Sequence, residues 1–388
     1  AATDEKYEDK GSKEMKAGVF RTVVLMLLTG VCSSCADVVD EKEIMASDMV
    51  LIYSGGAKCS VWDKEHFSDY VSYTDISGKS HWLFDGFLFL CLWDAGAEGA
   101  PDVAFCWNYD WPCASRRHWE RLLSYYFRDD RGIGALECAV SDVVPLLGKP
   151  PYKREVVMAI PYPSEYLIPS KKEGGSTYWG DIDGKKLDFS RLEDRFEACK
   201  WYIGRVLEEF GNHDYRYVGL KGFYWLHEET EGSDEKLIRM VAEYLRSLGY
   251  PLSWIPWFHA PGYDRWKELG FKNCWEQPNY FFNDYCPYEC LSVACDDAKA
   301  SGMGVEMEFD ERVLKNQPWG EHLSGHLRDY MKVFMEEGAW EGLPIAYYQS
   351  LHALRDLKLS DCPDDNELYH EFCGWVVSRP YRHRNVER

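Results

Sequence analysis

Eight short β-rich runs, separated by longer segments whose apolar residues recur at helical spacing, constrain this chain more than any other feature. The runs cover residues 50–53, 84–90, 156–160, 218–225, 252–258, 274–277, 304–308 and 343–348. Parallel neighbours need a long crossover, usually a helix, so strand and helix in alternation predict βα units. Helical faces lie between the runs. Ser190 with Glu193 three residues later predicts a capping box, followed by Leu192, Phe196, Cys199, Ile203 and Leu207 on one face. Ser233, with Asp234 and Glu235 behind it, predicts a cap for a helix whose stripe is Leu237, Val241, Leu245 and Leu248. Leu323, Leu327, Tyr330 and Phe334 form another such face, and a last helix is expected over 367–377. Residues 92–150 read as an insertion with helices near 115–126 and 137–147.

Eight βα units build either a closed barrel or an open doubly wound sheet. The open sheet usually carries a G-x-G-x-x-G turn after its first strand. Here that position reads Ser54-Gly55-Gly56-Ala57, which lacks the spacing, so a single (β/α)8 TIM barrel over 46–388 is expected. The 388 residues fit a barrel of about 250 residues with insertions and a leader. Aromatic residues make up 15% of the chain, enough for a large core. A formal charge of −21 repels phosphate backbones, which argues against nucleic acid as a partner.

The leader sets the expected compartment. Residues 1–14 are polar and read as a tag or a misassigned start. Lys16 and Arg21 near Met15 precede a short apolar run over 23–28, too brief for a bilayer span, and the segment 15–35 reads as a signal peptide. It ends in T-G-V-C-S-S-C, which resembles a relaxed bacterial lipobox with Cys35 as the acylated residue. The expectation is a lipoprotein of the bacterial cell envelope, held to a membrane through its lipid. Of 14 cysteines, Cys32 and Cys35 belong to this leader, and the remainder show no paired C-x-x-C. Cys286, Cys290 and Cys295 lie near His259 in sequence without a ligand spacing, so no metal and no other cofactor is expected.

Barrel chemistry forms at the C-terminal ends of the strands. The fourth run reads G-F-Y-W-L-H-E-E and sets Glu228 and Glu229 at its outer end. The seventh reads G-V-E-M-E-F-D-E, where Glu306 and Glu308 share a face because strand side chains alternate. Paired carboxylates suit glycoside hydrolysis, one protonating the leaving oxygen and one attacking the sugar. Trp225, Trp257, Phe258, Tyr280 and Tyr348 are candidates to stack on sugar faces, and His259 and Asn279 to contact hydroxyls. Asp85, near the start of its run, is expected to serve structure.

The arrangement resembles the superfamily of retaining glycosidases with acid/base at strand four and nucleophile at strand seven. That resemblance implies Glu228 as acid/base, with Glu229 the alternate, and Glu308 as nucleophile. His227 stands where the superfamily usually has Asn. L-I-Y-S-G-G at 51–56, F-D-G-F-L-F-L at 84–90, G-F-Y-W-L-H-E at 222–228, W-I-P-W-F-H-A-P-G at 254–262, Q-P-N-Y-F-F at 277–282 and V-E-M-E-F-D at 305–310 together resemble the bacterial family of domain of unknown function 4855 (DUF4855). The resemblance implies a glycosidase-like barrel and a carbohydrate setting, without a substrate. Two functions follow as expectations: a glycoside hydrolase acting on a polysaccharide or glycan, or a non-catalytic glycan-binding lipoprotein on the same barrel. A metal-dependent hydrolase needs a His/Asp cluster at the strand ends, which His259 alone does not make.

Overall fold

Parallel strands covered on both faces bury nearly every residue, which is why they read as unbroken apolar runs. In the computed structural model, which describes residues 42–55, 59–95, 102–106, 111–165, 176–230, 232–282 and 285–384, the runs become eight such strands. They are β1 (Asp48–Tyr53), β2 (Gly86–Leu90), β3 (Arg154–Ile160), β4 (Val218–Trp225), β5 (Leu252–Trp254), β6 (Asn273–Glu276), β7 (Gly304–Glu308) and β8 (Ile345–Tyr348). All pair in parallel with their chain neighbours, and β1 pairs with β8, closing a (β/α)8 barrel. The expected leader, its Cys35, and Gly56 and Ala57 lie outside the described residues. No described helix is long and apolar enough to cross a membrane.

The helices around the barrel are α1 (Lys64–Val71), α2 (Arg116–Tyr126), α3 (Gly132–Leu147), α4 (Leu192–Asn212), α5 (Ser233–Ser247), α6 (Trp266–Leu269), α7 (Glu289–Ser301), α8 (Ser324–Glu336), α9 (Ala339–Gly342), α10 (Ala353–Leu359), α11 (Pro363–Val377) and α12 (Tyr381–Arg384). Helices α2 and α3 fill the expected insertion. Two helix starts differ from the sequence reading. The capping box at Ser190 does not form: Asp188 accepts the Ser190 backbone N–H at 2.9 Å in a local turn, and α4 begins at Leu192. Gly232, with φ of 55°, takes the cap position before α5, and Ser233 is its first helical residue.

Two strands are shorter than their apolar runs because proline cannot donate to a ladder. The run at 252–258 contains Pro256, and ladder pairing stops at Trp254, while the Pro256 carbonyl accepts from Gln277 at 3.1 Å. The run at 343–348 contains Pro344, and β8 begins at Ile345. Charged residues gather at the beginnings of the first strands. Asp85 accepts the backbone N–H groups of Ser47 and Asp48, as a structural residue should. Glu155 accepts those of Met45 and Ala46, each at 2.8 Å. Arg379 pairs with Asp48, both wholly buried. These contacts satisfy backbone donors that the strands leave open at the base of the barrel.

Candidate active site

Among the described residues, four that are not glycine hold a left-handed backbone, and three of them, His259, Asn279 and Ser350, follow β5, β6 and β8. Such positions cost about 1–3 kcal/mol each and concentrate where the surrounding structure fixes a functional geometry. They mark the C-terminal mouth of the barrel. There a cavity of about 230 Å³ is lined by Glu228, Glu306, Glu308, Gln277, Asn279 and Tyr348, among others. Larger depressions of about 660 and 690 Å³ lie at the opposite end, around Lys42, Lys153 and Tyr215. Volume does not decide the site, because both depressions sit at the N-terminal end of the strands, where barrel chemistry does not form.

Each acid in the cavity has its own environment. Glu308 ends β7, is 3% exposed, and accepts from the Asn279 backbone N–H at 2.7 Å and the Tyr330 hydroxyl at 2.7 Å, with Asn279 Nδ2 at 3.3 Å. Burial pushes its carboxyl up to about 7, while Tyr330 and Asn279 pull the other way and the Glu228 charge adds to the rise. Glu306, 2% exposed, has no hydrogen-bond partner for Oε1; burial, then Glu308 and Glu228, raise it well above the carboxylate range. Like charges in one cavity cannot all ionise, and Glu306 is disfavoured as an anion by its burial and by both neighbouring acids.

Glu228 lies three residues past β4 and projects into the cavity with solvent-accessible surface. Crowding by the cavity walls raises its pKa, and hydrogen bonding to Gln277 and the charge of His227 oppose the rise. Glu228 still meets solvent, which weakens the desolvation acting on it. Gln277 in turn accepts from Asn279 Nδ2 at 3.1 Å. One loop after β6 therefore touches both acids.

The other expected residues divide. Tyr348 lines the cavity, held edge-on between Tyr53 and Phe282, each centroid 5.4 Å away. Trp257 is half-buried, and its indole donates to Glu229 at 3.3 Å, so Glu229 is engaged on a neighbouring wall and does not line the cavity. Trp225 presents no surface for a sugar: it is wholly buried, its ring edge-on to Tyr162 at 5.9 Å. It ends a strand whose last four residues are all buried, and core packing claimed it. Tyr280 turns to α8, where its hydroxyl donates to Asp329 at 2.8 Å. His259 leaves the cavity and pairs with Asp297 at 2.9 Å. Asp310, two residues past Glu308, binds Arg312.

Sequence reasoning missed Gln277 and Tyr330 as site residues. Gln277 could have been found as a polar residue ending an apolar strand. Tyr330 read as one more member of a helical face, and only its hydroxyl reaches Glu308.

Fold and site together define a parallel (β/α)8 barrel with three acids at its C-terminal mouth. Residues 48–374 match the family described as Domain of unknown function (DUF4855), and the chain belongs to that family. Comparison with curated proteins gives no match. Among solved structures, one described as a "putative alpha-L-fucosidase" from Bacteroides thetaiotaomicron VPI-5482 is 17% identical, covering 48% of this chain and 64% of its own, with a TM-score of 0.32. An atrazine chlorohydrolase from Arthrobacter aurescens TC1 is 13% identical over 63% of this chain and 52% of its own, at 0.28. A tryptophan synthase α-subunit from Pyrococcus furiosus is 10% identical over 88% and 98%, at 0.32. Scores this low carry no argument about substrate.

Proposed function

We propose that this protein is a glycoside hydrolase that cleaves a glycan with Glu228 as acid/base and Glu308 as nucleophile. The observation that carries the reading is that acids from β4 and β7 meet in one cavity with different partners. Glu308 has the donors that an attacking carboxylate needs, and Glu228 meets solvent, where a proton can be exchanged. A volume of about 230 Å³ suits one sugar ring, being below the roughly 300–1,000 Å³ of larger ligand pockets. In the first step Glu308 bonds to the anomeric carbon while Glu228 gives its proton to the departing oxygen. In the second, Glu228 takes a proton from water, the water oxygen bonds to that carbon, and Glu308 leaves. Protonated Glu306 can donate to a sugar hydroxyl without competing as a nucleophile.

The test uses purified protein on a panel of aryl glycosides and natural glycans. Glu228→Gln should slow cleavage of poor leaving groups by about 10²–10⁴-fold and spare good ones in the first step. Glu308→Gln should abolish both steps. Near wild-type turnover by both variants rules the assignment out. If a glycan binds but no member of the panel is cleaved by wild type, the non-catalytic reading, with Tyr348 and Phe282 as stacking rings, replaces it.

We also propose anchoring through an acylated Cys35 in the cell envelope, supported by the short apolar run and the small residues before it. Cys35→Ala should move the protein from the membrane to the soluble fraction. Mass spectrometry of a mature N-terminus without lipid at Cys35 would overturn this.

A further inference from the structure

Strand β6 sends alternate side chains to opposite sides. Gln277, just past its end, faces the cavity, while the preceding Glu276 turns outward, toward α7. There it meets His259 from the loop after β5 and Asp297 of α7. One donor atom from each residue, an imidazole nitrogen and two carboxylate oxygens, lies within 4.8 Å of the other two. Among the described residues this is the one group of three such side chains placed closely enough to share an ion. It was not legible as a cluster because its members stand 17 and 21 residues apart.

The acid at its centre supplies a second observation. Glu276 is 0% exposed, and neither carboxylate oxygen makes a hydrogen bond of good geometry. A buried carboxyl without partners costs several kcal/mol unless it is neutralised or coordinates a metal. The two other members are partly open to solvent, His259 at 42% and Asp297 at 32% of the side chain, which leaves an entry path. His259 is held there by a left-handed backbone, φ of 57°, and by stacking on Phe258 and Tyr263 at centroid distances of 4.0 and 4.9 Å.

We propose that His259, Glu276 and Asp297 bind a divalent first-row metal ion of the zinc class, outside the catalytic cavity. One imidazole with two carboxylates is a donor set that such ions take, with water completing a four-coordinate shell. Metal–ligand bonds of about 2.0–2.2 Å place tetrahedral ligand atoms about 3.4 Å apart, so His259 Nε2 and Asp297 Oδ2, at 2.9 Å, part slightly as the ion replaces the proton between them, and Glu276 draws in. The ion is structural: it ties the β5 loop to β6 and α7. From Phe258 the backbone N–H reaches Asn279 Oδ1 at 2.8 Å, so the tie supports the residue that holds Glu308.

The experiment uses the whole protein, stripped with chelator and titrated with Zn²⁺ by calorimetry and with Co²⁺ by absorption. One ion per chain is expected, with nitrogen- and oxygen-type cobalt bands, no thiolate charge-transfer band, and a raised Tm. Glu276→Gln keeps the shape of the buried side chain and should weaken Zn²⁺ binding at least tenfold. Should Glu276→Gln not fold, Asp297→Asn, at a partly exposed position, gives the same reading. Equal Zn²⁺ affinity in wild type and variants, or a thiolate band, overturns the proposal in favour of a protonated Glu276 beside a His259–Asp297 pair. Glycoside cleavage is not the readout, so failure here leaves the assignment of Glu228 and Glu308 untouched.

Discussion

Glu308 shows how far one side chain's chemistry is set by atoms that sequence spacing does not bring near it. Its position at the end of β7 was legible because alternation along a strand fixes its face. The donors to its carboxylate come from residues 29 positions before and 22 after it, and only the fold joins them. Its pKa, pushed up to about 7 by burial, falls where activity should rise with pH as the carboxyl loses its proton. Tyr330→Phe removes a donor to the charged form while keeping the ring that packs beneath the site. A hydrogen bond to a charged group contributes about 1.5–3 kcal/mol. Its loss should therefore carry the rising limb of kcat/KM upward by about 1–2 pH units. An unshifted limb, measured on any glycoside the wild type cleaves, would show that Glu308 is not the group whose ionisation limits the reaction.

Among the elements, all eight barrel strands were legible, because a strand buried on both faces can carry little besides apolar residues. Their ends were not, because Pro256 and Pro344 sit in apolar runs yet cannot donate to a ladder. Trp225 shows the converse limit, since an aromatic residue at a strand end reads alike whether it faces core or ligand. Strand β7 carries two of the three acids, so its fit to its neighbours sets their positions. It begins at Gly304, where an added Cβ would come within 2.3 Å of Trp275 Cδ1 and 2.5 Å of the Pro344 carbonyl oxygen. The backbone oxygen cannot swing away. Gly304→Ala should thus force β7 from β6 and β8 and cost about 1–3 kcal/mol, the range for overpacked cores. In a chain of this size that lowers Tm by a few degrees, at about 1–2 °C per kcal/mol. An unchanged Tm would mean that the strand can slide without loss.

For the whole molecule, the acidic balance of the sequence was plain, but not which acids would be buried, and that decides how stability responds to pH. Glu155 at the barrel base is raised from 4.5 to about 7, chiefly by burial, with Lys221 and two backbone N–H groups opposing. The folded chain keeps this proton at pH values where the unfolded chain has lost it. Its stabilising contribution is full below about pH 4.5 and is lost as pH rises through 7. His118 and His352 work with the opposite sign, since burial lowers both from 6.5 to about 4. Unfolded chains protonate first as pH falls, so stability from these two is lost between 6.5 and 4. The two effects oppose each other in mildly acid solution. Above about pH 6.5 the imidazoles are neutral in both states, and the raised carboxyls act alone. For Glu155 the remaining loss above that pH is about 1 kcal/mol, or roughly 1–2 °C in Tm. Calorimetry should show Tm falling between about pH 6.5 and 8.5, with a shallower fall in Glu155→Gln, whose amide does not titrate. An identical slope in the variant would mean that Glu155 is already ionised in the fold, its two backbone donors and Lys221 outweighing its burial.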